Sequence, residues 1–146
     1  MTVDVLTEAM IGRPPDAVAA YAADPSNAPE WYANIESVRW RTPPPAEVGS
    51  TMDFVVHFLG RRLSYTYEIV ELDPGRRLVM RTAQGPFPME TTYTWEPVGD
   101  GTRMTLRNRG EPAGFARVAT PVLAATMRRA NQKDLANLTR ILEAAG

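Results

Sequence analysis

The feature that most constrains this fold is a long amphipathic pattern near the C-terminus, from Phe115 to Glu143. At about 100° per residue, its apolar side chains fall in one stripe, which predicts a single helix with one buried face. Such a helix runs about 40 Å at about 1.5 Å per residue, so it needs an equally broad surface to pack against. The stripe contains Thr120, Leu123, Ala124, Met127, Leu135, Leu138, Ile141 and Leu142. The opposite side contains Arg129, Gln132, Lys133, Arg140 and Glu143.

Two polar residues, Asn131 and Asp134, interrupt the apolar stripe near its centre. One interpretation is that they hydrogen-bond to backbone groups or to trapped water, as most buried polar groups do. The other interpretation is that they line a cavity beneath the helix. The sequence leaves both interpretations open.

Composition limits the classes of function. The 146 residues are 44% hydrophobic, which predicts one globular domain over residues 1–146. A net charge of -1 without a basic, aromatic-rich stripe argues against a nucleic-acid partner. The absence of cysteine and the single histidine argue against a metal site, and we expect no cofactor.

The N-terminal stretch does not have the pattern of a signal peptide. The longest apolar run, Thr120 to Met127, is too short to cross a bilayer. We therefore expect a cytoplasmic protein without membrane insertion, either a monomer or a homodimer.

The first part of the chain predicts one strand followed by two short helices. Val3 to Ile11 is rich in β-branched residues and partly alternating, as in a strand. The Pro14-Pro15 pair suits the start of a helix that ends at Asp24-Pro25. Pro25 to Tyr32 then reads as a second short helix or helical turn.

From Glu36 onward, period-two alternation predicts about six antiparallel strands, broken by a stiff loop at Pro43–Pro45. Three predicted turns set the pairing of these strands, and the three pairings agree on which face of the sheet points inward. The pairings are Phe58 with Leu63 across Gly60-Arg61, Ile69 with Met80 across Asp73–Arg76, and Trp95 with Leu106 across Asp100-Gly101. The predicted class is α+β, with a curved antiparallel sheet wrapped around the long helix.

The inward face is rich in methionine and tyrosine. Methionine fills irregular spaces and adapts to varied partners, and each tyrosine hydroxyl needs a hydrogen-bond partner. An adaptable ligand cavity is one interpretation, and a close-packed core is the other. The candidate ligand-binding residues are Trp40, Met52, Phe54, Val56, Tyr65, Tyr67, Met80, Met89, Thr91, Tyr93, Trp95, Asn108, Met127, Asn131 and Asp134. The same face carries Phe58, Leu63, Ile69, Leu78, Thr82, Met104 and Leu106.

Acid–base groups are scarce on this inward face. His57 is predicted to point outward, opposite Ser64, and there is no nucleophilic serine motif or glycine-rich phosphate loop. The candidate catalytic residues are therefore tyrosines acting as proton donors, Tyr65, Tyr67 and Tyr93. The carboxylates predicted to lie on the outer face are Asp53, Glu68, Glu90 and Glu96, with Glu71 at a strand end as an exception.

Several stretches closely resemble the SRPBCC superfamily, and within it the polyketide cyclase/dehydrase and lipid transport branch, related to START domains and birch-pollen-allergen-like proteins. The matching stretches are Pro14–Val18, Asp24-Pro25, Pro29–Trp31, Gly60–Arg62, Leu72–Leu78, Glu96–Arg103 and Gly110–Pro112. They are spread over nearly the whole chain.

The resemblance implies a helix-grip fold, in which a seven-stranded sheet grips the C-terminal helix around an apolar cavity. It also implies that Trp31, which matches a tryptophan usual in the family, lies at the cavity mouth. Members of the superfamily bind lipids, steroids or polyketides, and some catalyse ring closure. The arginine and serine groups that some aromatase/cyclase members use have no clear counterpart in this sequence.

The predicted function is to bind a hydrophobic or aromatic small molecule between the sheet and the C-terminal helix. The alternative is a cofactor-independent polyketide cyclase, aromatase or dehydratase. Such an enzyme would fold its substrate in the cavity, with tyrosine as the acid–base group.

Overall fold

The computed structural model describes residues 2–58, 60–112 and 120–146. Its seven strands form one antiparallel sheet in the order β1-β7-β6-β5-β4-β3-β2, and the C-terminal helix packs on its inner face. The predicted α+β helix-grip arrangement is confirmed. The elements are β1 Val3–Ile11, α1 Pro15–Ala22, a 3-10 turn Pro25–Asn27, α2 Ala28–Trp31, β2 Ile35–Trp40, β3 Thr51–Phe58, β4 Arg61–Asp73, β5 Arg77–Gln84, β6 Met89–Val98, β7 Gly101–Gly110 and α3 Thr120–Ala145.

Helix α3 buries the predicted stripe. Leu123, Leu135 and Leu138 are at most 1% exposed, and the predicted outer residues are all exposed. The two polar residues of the stripe are buried as well, Asn131 at 4% exposure and Asp134 at 3%. The predicted start of the helix at Phe115 lies outside the described residues.

Hydrogen bonds tie the C-terminal half of α3 to the rest of the fold. The backbone N–H of Gly12 donates to Glu143 Oε2 over 2.7 Å, and Arg13 donates to the Leu142 carbonyl over 2.9 Å. The Asn137 amide donates to the last residues of α2, including the Trp31 carbonyl over 3.1 Å. The turns of α3 from Asn137 onward are therefore fixed, and the turns from Met127 to Asp134 lie over the cavity described below.

The two short helices form as the sequence predicts. Pro14 is extended, with ψ of 153°, and Pro15 occupies the first turn of α1, where a missing N–H costs nothing. The side chain of Asp24 accepts a hydrogen bond from the Ser26 backbone N–H over 3.0 Å and opens the 3-10 turn. Val18 on α1 and Trp31 on α2 are buried, so both helices pack on the core.

The predicted register between β3 and β4 is wrong by two residues. Phe58 pairs with Arg61, not Leu63, and Val56 pairs with Leu63. Gly60 adopts a left-handed φ of +72°, so it ends the connecting loop instead of starting it. Because side chains alternate with period two, a two-residue shift keeps the same side chains inward.

The register between β6 and β7 differs from the prediction in the same way. Gly101 pairs with Val98, which leaves Gly99, at φ +58°, and Asp100 as the turn. Gly101 is needed for another reason, since a Cβ there would lie 2.7 Å from the Ile11 carbonyl oxygen. Trp95 therefore pairs with Met104, and the inward face is unchanged.

The third pairing, between β4 and β5, is confirmed in its central part, where Ile69 pairs with Met80. Beyond an irregularity after Ile69, Asp73 pairs with Arg77, so the predicted four-residue turn has three residues. On the outer face, Glu68 lies opposite Arg81, and Arg81 forms an ion pair with Glu90 at 2.9 Å.

The core divides into two clusters of buried side chains that meet beneath α3. The larger cluster joins Phe54, Met80 and Tyr93 to the C-terminal half of α3. The smaller cluster includes Tyr65 and Met127, near the first turns of the helix. Between them the packing is incomplete, and this is where the candidate site lies.

Candidate ligand-binding site

A cavity of about 140 Å³ lies between the inner face of the sheet and α3. Strands β3 to β7 supply its floor, because their alternating side chains point toward the helix. It reaches the surface beside β2 and the end of β3, where Ile35 is half-buried and His57 exposed. The lining residues are Tyr32, Asn34, Ile35, Phe54, Val56, His57, Phe58, Leu63, Tyr65, Tyr67, Met80, Phe87, Met89, Thr91, Tyr93, Asn108, Met127, Ala130, Asn131 and Asp134.

Most of the wall is apolar and aromatic. Phe54 packs edge-on against Tyr67 at a ring-centroid distance of 5.3 Å, and Tyr65 packs edge-on against Phe87 at 6.0 Å. Edge-to-face pairs of this kind hold aromatic rings in fixed orientations. The remaining apolar wall includes three methionines, Met80, Met89 and Met127, whose flexible chains can move to admit a ligand.

Polar groups converge on the wall in three places. The hydroxyls of Tyr32 and Tyr93 are 2.6 Å apart and share a hydrogen bond. The Thr91 hydroxyl donates to Asn108 Oδ1 over 2.8 Å. The third place is on the helix. A small number of such groups on an apolar wall is typical of small-molecule sites, where they orient the ligand.

The helix side of the cavity carries Asn131 and Asp134. Asp134 Oδ1 accepts the Ala33 backbone N–H over 3.0 Å, which links the helix to the end of α2. The Asn131 amide nitrogen is buried and has no hydrogen-bond partner among the described residues. Both interpretations from the sequence therefore hold in part, since these residues line the cavity and Asp134 also binds backbone.

Burial keeps the tyrosines of the cavity protonated. It raises the pKa of Tyr67 to about 12, although a hydrogen bond with Thr91 opposes the shift. It also raises the pKa of Tyr65 and of Tyr93. At neutral pH these phenols are neutral, so they can donate a proton or a hydrogen bond but cannot act as bases.

Burial acts on Asp134 in the same direction. It raises the pKa of this carboxyl to about 6, against the opposing effects of the Ala33 N–H and of the Lys133 charge. A carboxyl with this pKa exists in both protonation states near neutral pH. It is the one acid among the lining residues described here.

The structure brings twelve of the sixteen predicted site residues to the cavity. Whether each contacts a ligand stays a prediction. The twelve are Phe54, Val56, Tyr65, Tyr67, Met80, Met89, Thr91, Tyr93, Asn108, Met127, Asn131 and Asp134.

The other four predicted site residues do not line this cavity. Trp31 is 1% exposed and packs behind Tyr32, with ring centroids 4.0 Å apart, so it is not at the mouth. Met52 is fully buried in solid core. Trp40 and Trp95 instead line a second groove of about 770 Å³, between α1 and the proline-rich loop. Met52, Trp40 and Trp95 lie on the inward face of their strands as predicted, but outside the part of that face that the cavity occupies.

Several lining residues are not among those predicted from the sequence. Phe87 lies in the loop between β5 and β6, where no periodicity marks it. Tyr32 follows the last residue of α2, and the neighbouring Trp31 matched the family pattern in its place. Phe58 and Leu63 lie on the predicted inward face but outside the predicted site. No motif or periodicity in the sequence marks Asn34, Ile35 or Ala130 as lining residues.

His57 is at the rim of the cavity, and its ring faces outward as predicted. It pairs with Arg62 across β4, not with Ser64, because of the register shift. Its Nε2 lies 2.8 Å from Glu36 Oε1, and Arg62 binds the other oxygen of that carboxylate over 2.8 Å. Hydrogen bonds from Arg62 and His57 lower the pKa of Glu36 to about 2. The imidazole is therefore engaged in an exposed ion cluster.

The fold and the cavity between its sheet and helix define a helix-grip protein with a largely apolar internal site. The chain belongs to the polyketide cyclase/dehydrase and lipid transport family, whose sequence model matches residues 2–143. This confirms the predicted membership of the SRPBCC superfamily.

Solved structures with the same fold cover nearly the whole chain. The protein TTHA0849 from Thermus thermophilus superposes with a TM-score of 0.85 at 22% identity, over 98% of this chain and 99% of that one. The Zhui aromatase/cyclase from Streptomyces sp. R1128 has a TM-score of 0.82 at 18% identity, over 98% and 94% of the two chains. A START superfamily protein from Mycobacterium smegmatis has a TM-score of 0.82 at 14% identity, over 99% of each chain. At these identities the likeness concerns the fold.

No curated protein matches the sequence significantly. Among the helices of the described residues, none combines the length and the apolar character that crossing a membrane requires.

Proposed function

We propose that this protein binds a neutral apolar or aromatic small molecule in the cavity beneath α3. The observation that carries the proposal is the cavity itself, about 140 Å³ with aromatic and methionine walls and a few polar groups at its edge. Burying apolar ligand surface there would supply most of the affinity, at about 25 cal/mol per Å².

The size of the cavity limits what it holds without rearrangement. An apolar cavity of about 150 Å³ in another protein binds benzene, so this one has room for a single aromatic ring. A larger lipid, steroid or polyketide requires side chains to move aside. Met80, Met89 and Met127 are the residues best suited to that, because methionine changes rotamer at low cost.

A cavity-filling substitution tests the proposal. Ala130→Phe places a ring inside the cavity, whereas Ala136→Phe adds the same ring on the exposed side of the same helix. Single-ring and larger apolar ligands should raise the melting temperature of the wild type and of Ala136→Phe by mass action. We expect Ala130→Phe, or the smaller step Ala130→Leu, to lose that shift. A full ligand-induced shift in a folded Ala130 variant would place the ligand elsewhere.

A second candidate function is a cyclase, aromatase or dehydratase reaction on a polyketide-like chain. The hydrogen-bonded Tyr32–Tyr93 pair favours it, since two neutral phenols on the cavity wall, both under the influence of the ionisable Asp134, form a proton-donor group. Folding the chain in a shaped cavity would contribute through orientation, which can lower a barrier by several kcal/mol. Tyr65, Tyr67 and Tyr93 remain the candidate donors.

Turnover of a candidate chain separates the two functions. A binding protein leaves its ligand chemically unchanged, whereas an enzyme releases a cyclised or dehydrated product that mass spectrometry detects. If that turnover persisted after Tyr→Phe at positions 65, 67 and 93 together, these three candidate donors would be excluded. Persistence after Tyr32→Phe is added to that variant would exclude the tyrosine mechanism.

From the sequence and the family we also propose that the protein is cytoplasmic, that it is a monomer or a homodimer, and that it takes part in lipid transport. Cell fractionation and analytical ultracentrifugation test the first two. Transfer of a labelled lipid between vesicles tests the third.

A further inference from the structure

Three buried side-chain nitrogens have no hydrogen-bond partner among the described residues: Trp31 Nε1, Trp95 Nε1 and Asn131 Nδ2. Most buried donors in proteins are satisfied, so each exception needs an explanation. The two indoles belong to side chains packed outside the main cavity. Asn131, at 4% exposure, is the one of the three that lines it.

The other polar groups of the cavity wall are largely engaged with each other or with backbone. Tyr32 binds Tyr93, Thr91 binds Asn108, and Asp134 binds the Ala33 backbone. The Asn131 amide is thus a fixed donor, on a helix, with no acceptor for its hydrogen in the part of the chain that the structure describes. A bound molecule with an acceptor atom would supply the missing partner.

The charges near Asn131 restrict the kind of acceptor. Among the described lining residues there is no lysine or arginine, and the one histidine is turned outward toward Glu36. Asp134, one turn further along α3, would repel an anion when it is ionised. A ligand carboxylate would therefore be buried without a counter-ion, at high cost. A carbonyl oxygen accepts a hydrogen bond without bringing a charge or a further donor.

We propose that Asn131 determines ligand specificity in this cavity by donating a hydrogen bond to a neutral carbonyl oxygen of an apolar, ring-containing molecule. This inference rests on the proposed function, since it assumes that the cavity binds a ligand. It adds that neutral carbonyl compounds are preferred both to hydrocarbons and to fatty-acid-like anions.

Three single-ring probes of similar shape test the inference: acetophenone, α-methylstyrene, which replaces C=O by C=CH2, and the anion benzoate. Dissociation constants are measured by NMR titration at pH 8 for the wild type and Asn131→Leu. Asn137→Leu is the matched control, because the Asn137 amide lies on the same helix but donates to the α2 carbonyls. The ratio of the acetophenone and α-methylstyrene constants cancels differences in folding and in general cavity shape.

We expect acetophenone to bind roughly threefold to tenfold more tightly than α-methylstyrene because it accepts a hydrogen bond from Asn131. This is the range of affinity expected for one net hydrogen bond. The Asn131→Leu variant should lose that preference, Asn137→Leu should keep it, and benzoate should bind most weakly. In the wild type, the Asn131 side-chain NH2 signals should shift more with acetophenone than with α-methylstyrene, which tests the contact even where Asn131→Leu fails to fold.

The possible failures are distinguishable. Equal ratios in the wild type and Asn131→Leu, equal shifts of the Asn131 amide with both probes, or strongest binding of benzoate would overturn the inference while the proposed function stands. Binding of none of the three probes to the wild type would count against the proposed function and would remove the basis of the inference.

Discussion

Asp134 carries a carboxyl group into the wall of an otherwise apolar cavity, at 3% exposure. Burial raises its pKa from 3.8 to about 6, so the folded protein holds this proton more tightly than the unfolded chain does. The stability that the proton contributes is fully present below a pH of about 4. It is lost as the pH rises through about 6.

The substitution Asp134→Asn isolates this effect, because asparagine keeps an oxygen for the Ala33 N–H and cannot ionise. At pH 4 we expect its free energy of unfolding to lie close to that of the wild type. At pH 8 the variant should be more stable by roughly 2–3 kcal/mol, since each pKa unit corresponds to about 1.4 kcal/mol. Denaturant unfolding at both pH values measures the difference, with Asp100→Asn in the exposed β6–β7 turn as the control. A difference that does not change with pH would mean that Asp134 titrates normally.

The sequence predicts the direction of a side chain where strand periodicity determines it. It does not predict which of the inward side chains reach the cavity, because that depends on tertiary packing. Alternation along the strands places Tyr65, Tyr67 and Tyr93 on the inner face and at the cavity. The same alternation places Met52 inward, but only the three-dimensional packing shows that it is in solid core. Phe87 lies in a loop, where side-chain direction follows from tertiary contacts and not from spacing.

Among the elements, α3 closes the cavity and completes both clusters of the core. Leu138 is 0% exposed and packs in the larger cluster, whereas Ala136 is exposed on the same helix. The grip of the sheet on the helix therefore depends on one face of α3.

Placing a charge on each face tests that dependence. Leu138→Asp should lower the free energy of unfolding by at least roughly 3 kcal/mol, because it removes apolar packing and buries a carboxylate without a partner. Ala136→Asp should cost only about 0.5–1 kcal/mol, mainly through helix propensity. Chemical denaturation compares the two. Equal losses would show that α3 does not pack as described.

The strand pairings show how well the residues of a turn predict the register of the strands that it connects. Two predicted hairpins are displaced by two residues, and the inward face survives because the displacement is even. The strongest turn dipeptide, Asp100-Gly101, is misleading because Gly101 is required by the close approach of the Ile11 carbonyl. That contact joins residues far apart in sequence, so no local pattern reveals it.

The molecule as a whole has an incompletely packed space between its two core clusters, and we propose that this space is the ligand site. Both clusters contribute residues to its wall, so a ligand there would contact both clusters at once and fill the space between them. The fold and the inward face follow from the sequence. The position and size of the cavity do not, since they depend on how closely α3 approaches each part of the sheet.

Methionine methyl groups are natural reporters of that site. Met80, Met89 and Met127 line the cavity, Met52 and Met104 are fully buried elsewhere in the core, and Met10 is 54% exposed on β1. The most direct measurement is a titration with acetophenone, followed by methyl NMR of the wild type. We predict saturable shifts at the three cavity methionines, with much smaller shifts at Met52, Met104 and Met10. Shifts confined to Met10 or to the two other core methionines, or no saturable shift at any methionine, would contradict the proposal.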